Sequence, residues 1–152
     1  MAGIGRIVLF FWGAWLSVVV ATNVLNGLQA LSVISPDFKF VSGNWQWINQ
    51  AMDPLGIPRG LQGAMFGSAI AWEALGAVLF WRALASYRGR PLTQERTTLL
   101  ACGFNLALWA SFQILDEVFL TYQAEAVHRV IFIAQIATII LLQLAPPNHR
   151  SE

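Results

Sequence analysis

Glu73 is the acidic residue that lies deepest within any apolar stretch of this 152-residue chain. Placing an acidic side chain at the centre of a membrane span costs about 2.5–3.5 kcal/mol, so it should face other helices and find a partner. At a rise of about 1.5 Å per residue, Glu73 and Asn105 fall at similar depths in a hydrocarbon core about 30 Å thick. The buried polar layer that we predict consists of Glu73 and Asn105, with Ser17 or Thr138 at the same level.

Two interpretations of this polar layer follow from the sequence. In the first, a neutral Glu73 forms hydrogen bonds between helices and stabilises their packing. In the second, the layer is a proton or ligand site, and Glu73 is the group that changes state during transport. A cavity that reaches Glu73 would favour the second interpretation, and a closed, dry layer would favour the first.

A second polar group lies where the third apolar stretch ends and the fourth begins. This outer acidic cluster consists of Asp116, Glu117, Glu125, His128 and Arg129. Glu125-x-x-His128 is the spacing used in carboxylate-bridged di-iron sites, but such a site needs two of these motifs and the chain has one. The sequence favours ion pairing, in which His128 and Arg129 neutralise the carboxylates. A weak metal site is the alternative, and its candidate ligands are Asp116, Glu117, Glu125 and His128.

The remaining reactive side chains do not form a catalytic set. No nucleophile can be combined with a base and an orienting group. The single cysteine, Cys102, cannot form a disulfide within the chain and lies far from His128 by the same depth count. The second histidine, His149, falls in the carboxyl-terminal tail, which excludes a haem site with two histidine ligands inside the bundle. We therefore predict no catalytic residues.

These polar residues lie in apolar stretches at about 7–27, 61–84, 97–120 and 127–145. About 20 largely apolar residues cross a bilayer as a helix. The composition, 57% hydrophobic and 11% charged, differs strongly from that of a soluble domain. We predict one all-α domain over 1–152, an antiparallel bundle of four transmembrane helices with the bilayer as its surroundings. The net charge of +1 argues against nucleic acid as a partner.

Basic residues predict the orientation of the chain in the membrane. The connection between the second and third spans carries Arg82, Arg88, Arg90 and Arg96. Basic residues concentrate on the cytoplasmic side, so we expect a multi-pass membrane protein with both termini in the cytoplasm. Only Arg6 precedes the first span and no clear cleavage site follows it, so we expect that span to be retained rather than removed as a signal peptide.

The loop at 28–60, on the outer side in this orientation, is rich in aromatic side chains. They are Phe38, Phe40, Trp45 and Trp47. We predict that Ser42 caps a short helix that runs to Met52. Since tryptophan favours the headgroup zone, this ordered loop either lies on the membrane surface or forms a lid or docking surface over the outer end of the bundle.

Small residues recur every four positions in two of the spans. They are Gly13, Ser17 and Ala21 in the first span and Gly63, Gly67 and Ala71 in the second. Such stripes let helix backbones approach closely in lipid. We therefore predict that both stripes pack helix against helix, and that Gly67→Leu disrupts this packing.

Several landmarks follow one another in a recognisable order. They are Asn23 late in the first span, the aromatic motif at 37–41, the glutamate-containing segment at 69–75, the stretch from Trp109 to Glu117, and Arg129. In this order the chain resembles an uncharacterised family of predicted small integral membrane proteins of bacteria. The resemblance implies a four-span topology, a location in the bacterial inner membrane and no particular activity.

Three functions are compatible with the sequence. The first is a non-catalytic accessory or assembly subunit of a membrane complex, which acts through helix packing and its outer loop and has other membrane subunits or a second copy as partners. The second is a carrier of a proton, a cation or a small molecule that uses Glu73. The third is a redox subunit that binds a metal or a quinone. We predict no cofactor, and lipid or quinone is the candidate ligand.

Overall fold

The computed structural model describes residues 2–144, and over this range the chain forms α-helices and short 3-10 turns without any β-strand. The helices are α1 (Ala2–Ala30), α2 (Asn44–Met52), α3 (Arg59–Ser86), α4 (Arg96–Val118) and α5 (Tyr122–Leu144). Single 3-10 turns at Asp53–Leu55 and Leu92–Gln94 follow α2 and precede α4. The expected end of the fourth span at 145 and His149 in the tail both lie outside the described residues.

Four of the helices, α1, α3, α4 and α5, are long and apolar enough to cross a membrane. The shortest of them has 23 residues, which corresponds to about 35 Å, whereas the hydrocarbon core of a bilayer is about 30 Å thick. Large apolar side chains such as Ile7, Val130 and Ile133 are exposed on the outside of these helices. The predicted all-helical membrane protein is therefore confirmed in its helix class and in its number of apolar helices.

Helix α3 is the centre of the packing, because it contacts α1, α2 and α4, while α5 packs mainly on α4. Gly5 lies against Tyr87 at one end of the α1–α3 pair. Gly27 lies against Phe66 at the other end. The amino end of α1 therefore lies beside the carboxyl end of α3, and the carboxyl end of α1 lies beside the amino half of α3.

The apolar core occupies the half of the bundle that contains the amino end of α1. Leu9, Leu16, Phe80 and Leu108 are completely buried there, and Cys102 lies among them. Trp12 is also buried and donates its indole hydrogen to the Thr138 hydroxyl oxygen at 3.0 Å, which joins α1 to α5. This half of the molecule is closely packed.

The small-residue stripes are placed differently from our prediction. Gly13 does allow a close approach, since a Cβ there would lie 3.2 Å from the Trp81 ring. In contrast, Ala21, Gly67 and Ala71 are exposed, and no atom lies within 4 Å of a Cβ built at Gly67. Within residues 2–144 these three residues lie on exposed helix faces, and their role in helix packing stays a prediction. A spacing of four identifies one helix face without showing which neighbour that face meets.

The connection between α3 and α4 is organised around a buried carboxylate. Glu95 accepts hydrogen bonds from the backbone N–H groups of Arg88 and Arg90 at 2.9 and 3.2 Å. Gly89 between them has a φ of 75°, a conformation that favours glycine. The loop is thus held by backbone donors that converge on a single side chain.

Candidate functional site

A cavity of about 400 Å³ lies between the helices, at the end of the bundle that carries α2 and the α4–α5 turn. This volume falls within the range of small-molecule sites, about 300–1,000 Å³. The aromatic side chains on its wall are Trp15, Trp47, Phe66, Trp109, Phe112 and Phe119. The polar side chains on its wall are Asn23, Asn44, Glu73, Asp116, Thr121 and His128.

Glu73 reaches this cavity from the buried face of α3. Phe66, Glu73, Ala77 and Phe80 follow one another at intervals of seven, four and three residues and are all buried, as expected for one face of a helix. The carboxylate accepts a hydrogen bond at Oε2 from Asn23 Nδ2, at 2.8 Å. Within the described chain, hydrogen bonds reach only this oxygen of Glu73, and no basic side chain forms an ion pair with it.

Asn23 connects Glu73 to the short helix α2. Its amide oxygen accepts a hydrogen bond from Asn44 Nδ2, also at 2.8 Å. Side chains from three helices, α3, α1 and α2, therefore form one continuous hydrogen-bonded chain. Since both Asn23 and Glu73 are almost fully buried, their hydrogen bonds lie in a region of low dielectric, where such bonds are strong.

Asn105 forms its hydrogen bond with Gln135 and not with Glu73. Its amide nitrogen donates to Gln135 Oε1 at 2.8 Å, which joins α4 to α5. Neither the remaining Asn105 oxygen nor the Gln135 nitrogen has a hydrogen-bond partner in the described range. The structure thus pairs Glu73 with Asn23, whereas the depth count paired it with Asn105.

The other two members of the predicted layer belong to separate contacts. Thr138 accepts the hydrogen bond from Trp12. Ser17 accepts one from Trp81 Nε1 at 3.0 Å and donates to the carbonyl of Gly13 at 2.7 Å. The predicted layer is therefore divided into several hydrogen-bonded groups, because equal depth along the axis does not place two side chains on facing sides of their helices.

Asp116 and His128 form a pair on the cavity wall. His128 Nδ1 lies 2.6 Å from Asp116 Oδ2, and the Thr121 hydroxyl donates to Oδ1 at 3.1 Å. The imidazole packs against the rings of Trp109 and Phe112, with centroid distances of 5.7 and 5.0 Å. Because Nδ1 is engaged by the carboxylate, Nε2 is the ring nitrogen left for another partner.

The outer acidic cluster does not meet at one point. Glu125 and Arg129 form an ion pair along α5, one helical turn apart, and Glu117 is exposed on α4. None of these three residues lines the cavity. Over residues 2–144 no three His, Cys, Asp or Glu side chains are grouped so that they could hold a metal ion. Neighbouring positions on a helix point in different directions, which separates Asp116 from Glu117.

The short helix α2 is held in place by a side chain of α1. Asn26 Oδ1 accepts a hydrogen bond from the backbone N–H of Trp45 at 2.7 Å, and Asn26 Nδ2 donates to Gln46 Oε1 at 2.9 Å. We expected Ser42 to cap this helix. The residue at its amino end is instead Gly43, with a φ of 79°, and the Ser42 hydroxyl oxygen accepts the N–H of Asn44 at 3.2 Å.

The four aromatic residues of the outer loop differ in their burial and in their contact with the cavity. Trp45 is half-buried against Phe66, with a centroid distance of 5.9 Å. Trp47 lines the cavity, whereas Phe38 and Phe40 are exposed away from it. Gln29 holds the preceding segment, because its amide nitrogen lies within hydrogen-bond distance of three carbonyl groups between residues 35 and 38.

Our reading of the sequence missed the role of the asparagines. Asn23 and Asn26, near the carboxyl end of α1, are both almost completely buried. Amides three positions apart share one helix face, and a pair of them inside an apolar run is the signal that could have identified the docking site of α2.

A comparison of the chain with protein-family models, with curated proteins and with solved structures finds no match. The resemblance to a family of small four-span membrane proteins therefore stays a prediction.

Proposed function

We propose that this protein is a small-molecule carrier of the bacterial inner membrane, and that its ligand site is the cavity bordered by Glu73 and the Asp116–His128 pair. The observation that carries the proposal is the position of Glu73, which is buried among apolar helices and also lies on the wall of a cavity of about 400 Å³. A carboxylate that served only to join helices would belong in a closed layer.

The proposed architecture is an antiparallel bundle of four transmembrane helices whose outer end is covered by an ordered aromatic loop. The opposite order of contacts along α1 and α3 supports the antiparallel arrangement. The arginines of the α3–α4 connection lie at the end of the bundle away from the cavity, and basic residues favour the cytoplasmic side. We accordingly place both termini in the cytoplasm and the cavity towards the outside.

The proposal can be tested by measuring the mass of whatever remains bound to the protein. We would extract the full chain in mild detergent and record its native mass spectrum. Ala69 lines the cavity, whereas Ala71 is exposed two positions further along α3. We expect Ala69→Phe to lose the bound molecule and Ala71→Phe to keep it. The mass would also identify a lipid or a quinone.

Transport is tested separately in liposomes loaded with the molecule so identified. We expect Glu73→Gln to abolish its flux and Glu117→Gln, which changes an exposed carboxylate, to leave the flux unchanged. A wild-type protein without bound molecule, or an Ala69→Phe variant that retains it, would contradict the proposal.

A second candidate function, that of an accessory subunit, is favoured by the exposed part of the small-residue stripe on α3. Gly67 and Ala71 lie on the outside of the described structure at a spacing of four, which suits a close approach by a helix of another subunit or of a second copy. On this view Gly67→Leu separates the assembly in mild detergent without lowering the thermal stability of the chain itself. An unchanged assembly would remove this candidate.

A further inference from the structure

We infer that the molecule bound in the cavity is an organic cation, namely a protonated amine with an apolar body. The inference rests on the proposed function and specifies its ligand. It follows from the charge of the cavity wall, from the aromatic rings on that wall, and from the apolar remainder of the surface.

The charged groups on the wall favour a cation. Two carboxylates, Glu73 and Asp116, border the cavity, together with a single histidine and no lysine or arginine among the described lining residues. Asp116 already has His128 and Thr121 as partners. Glu73 has only the amide of Asn23 at one of its oxygens, so an ammonium group could form a charge-assisted hydrogen bond with the other oxygen. An anion would be repelled by both carboxylates.

The aromatic rings on the wall of the same cavity provide the second attraction. Trp15, Val19 and Asn23 line the cavity from successive turns of α1. The Trp15 ring lies 5.6 Å from the ring of Trp109 on α4, measured between centroids. An ammonium group within about 6 Å of an indole face is attracted by the ring quadrupole, and more strongly where water is excluded.

The remaining wall is apolar and requires an apolar body on the ligand. Val19, Ile48, Leu115 and Ile131 are among its members. A small inorganic cation would need several oxygen ligands in place of its water, and residues 2–144 offer no cluster of three or more His, Cys, Asp or Glu side chains for a metal. An amine with an aromatic or branched aliphatic body satisfies both the carboxylate and the apolar surface.

Three probes that share one apolar body test the inference. They are 2-phenylethylammonium, 2-phenylethanol and 3-phenylpropionate, each titrated calorimetrically into the full chain in lipid nanodiscs at pH 7. We expect the ammonium probe to bind at least tenfold more tightly than the alcohol and the carboxylate probe to bind most weakly. In Glu73→Gln the affinity for the ammonium should fall to that for the alcohol, whereas Glu117→Gln should behave like the wild type.

The possible results distinguish an error in the inferred ligand class from an error in the proposed cavity site. If the ammonium and the alcohol bind equally to the wild type and both are lost in Ala69→Phe, the inference of a cation is overturned while the cavity site stands. If binding of the probes is unaffected by Ala69→Phe, the inference of a cation and the proposed cavity site are both overturned. If no probe binds, the inference is overturned and the native mass measurement decides the proposed function. If Glu73→Gln does not fold, the comparison of the three probes on the wild type still decides whether the cavity prefers a cation.

Discussion

The side chain of Asn23 donates a hydrogen bond to Oε2 of Glu73 across 2.8 Å, and both residues are almost fully buried. Among the described residues this is the hydrogen bond that offsets the desolvation of the carboxylate. Without it, a buried acceptor of high polarity would be left without a partner. The stability of the half of the molecule that carries α2 therefore depends on this pair.

We expect Asn23→Leu to destabilise the protein by about 1–3 kcal/mol, the usual cost of leaving a buried polar group unsatisfied. The measurement is thermal or denaturant unfolding of the purified chain in detergent. Replacing both partners by apolar residues, as in Asn23→Leu with Glu73→Met, should recover much of this loss. A single variant as stable as the wild type would show that the hydrogen bond contributes nothing.

Asn26 should control the docking of α2 without affecting the long helices. Asn26→Ala removes the acceptor for the Trp45 N–H and the donor for Gln46. We expect hydrogen exchange of the backbone amides at 44–52 to accelerate. The matched control is Gln29→Ala, which should release only the segment near 35–38 that Gln29 contacts. Equal exchange at 44–52 in the two variants would argue against this role.

Two glycines of α3 should respond differently to the same substitution. A Cβ at Gly76 would lie 3.3 Å from a methyl group of Leu16, whereas a Cβ at Gly67 would meet nothing within 4 Å. We expect Gly76→Val to cost about 1–3 kcal/mol through overpacking and Gly67→Val to change the stability by less than about 0.5 kcal/mol. The free energy of unfolding measures both. Comparable losses at the two positions would place the helix interface elsewhere.

The pair formed by Asp116 and His128 should stabilise the α4–α5 hairpin. Asp116→Asn replaces a buried carboxylate by a neutral amide beside the imidazole and the Thr121 hydroxyl. Since hydrogen bonds to charged groups contribute about 1.5–3 kcal/mol, we expect a loss of this order in the unfolding free energy. Glu117→Gln, on the exposed neighbour, should have almost no effect. If both variants unfold alike, the pair is not structural.

Tyr87 should make the protein sensitive to alkaline pH. Its burial, and secondarily the nearby Glu95, raise the pKa of the hydroxyl above its usual range. A pKa that is higher in the folded state than in the unfolded state contributes stability that is present below about pH 10 and is lost as the pH rises through the folded value. Tyr87→Phe should therefore lose stability less steeply above pH 10 than the wild type does.

The control for this prediction is the other tyrosine, Tyr122, which is 59% exposed. Tyr122→Phe should keep the alkaline slope of the wild type. At neutral pH we expect Tyr87→Phe to be at least as stable as the wild type, because the Tyr87 hydroxyl is buried without a hydrogen-bond partner. An unchanged alkaline slope in Tyr87→Phe would contradict the predicted shift.

The sequence predicted those features that depend on hydrophobicity alone. The four apolar helices follow from stretches too long and too apolar for a soluble domain, and the burial of Glu73 follows from the high cost of exposing a carboxylate to lipid. Both arguments use the free energy of transfer of a residue, which does not depend on its neighbours. They therefore hold without knowledge of the packing.

The partners of Glu73 and the position of α2 could not be predicted in this way. Counting residues gives the depth of a side chain along a helix, but the choice between Asn23 and Asn105 depends on how each helix is rotated about its axis. That rotation results from many packing contacts, such as those of Gly13 and Gly76. The same limitation explains why the spacing of Gly67 in its stripe did not show that this residue faces outward.

Glu95 directs its negative charge at the backbone amides of Arg88 and Arg90 rather than at their guanidinium groups. The loop that it organises can therefore keep its cationic character, although an acidic residue lies at its centre. A membrane surface that contains anionic phospholipids attracts juxtamembrane basic side chains, with about 1 kcal/mol for each of them. The turn between α3 and α4 is thereby suited to hold this end of the molecule at the phosphate level of the bilayer.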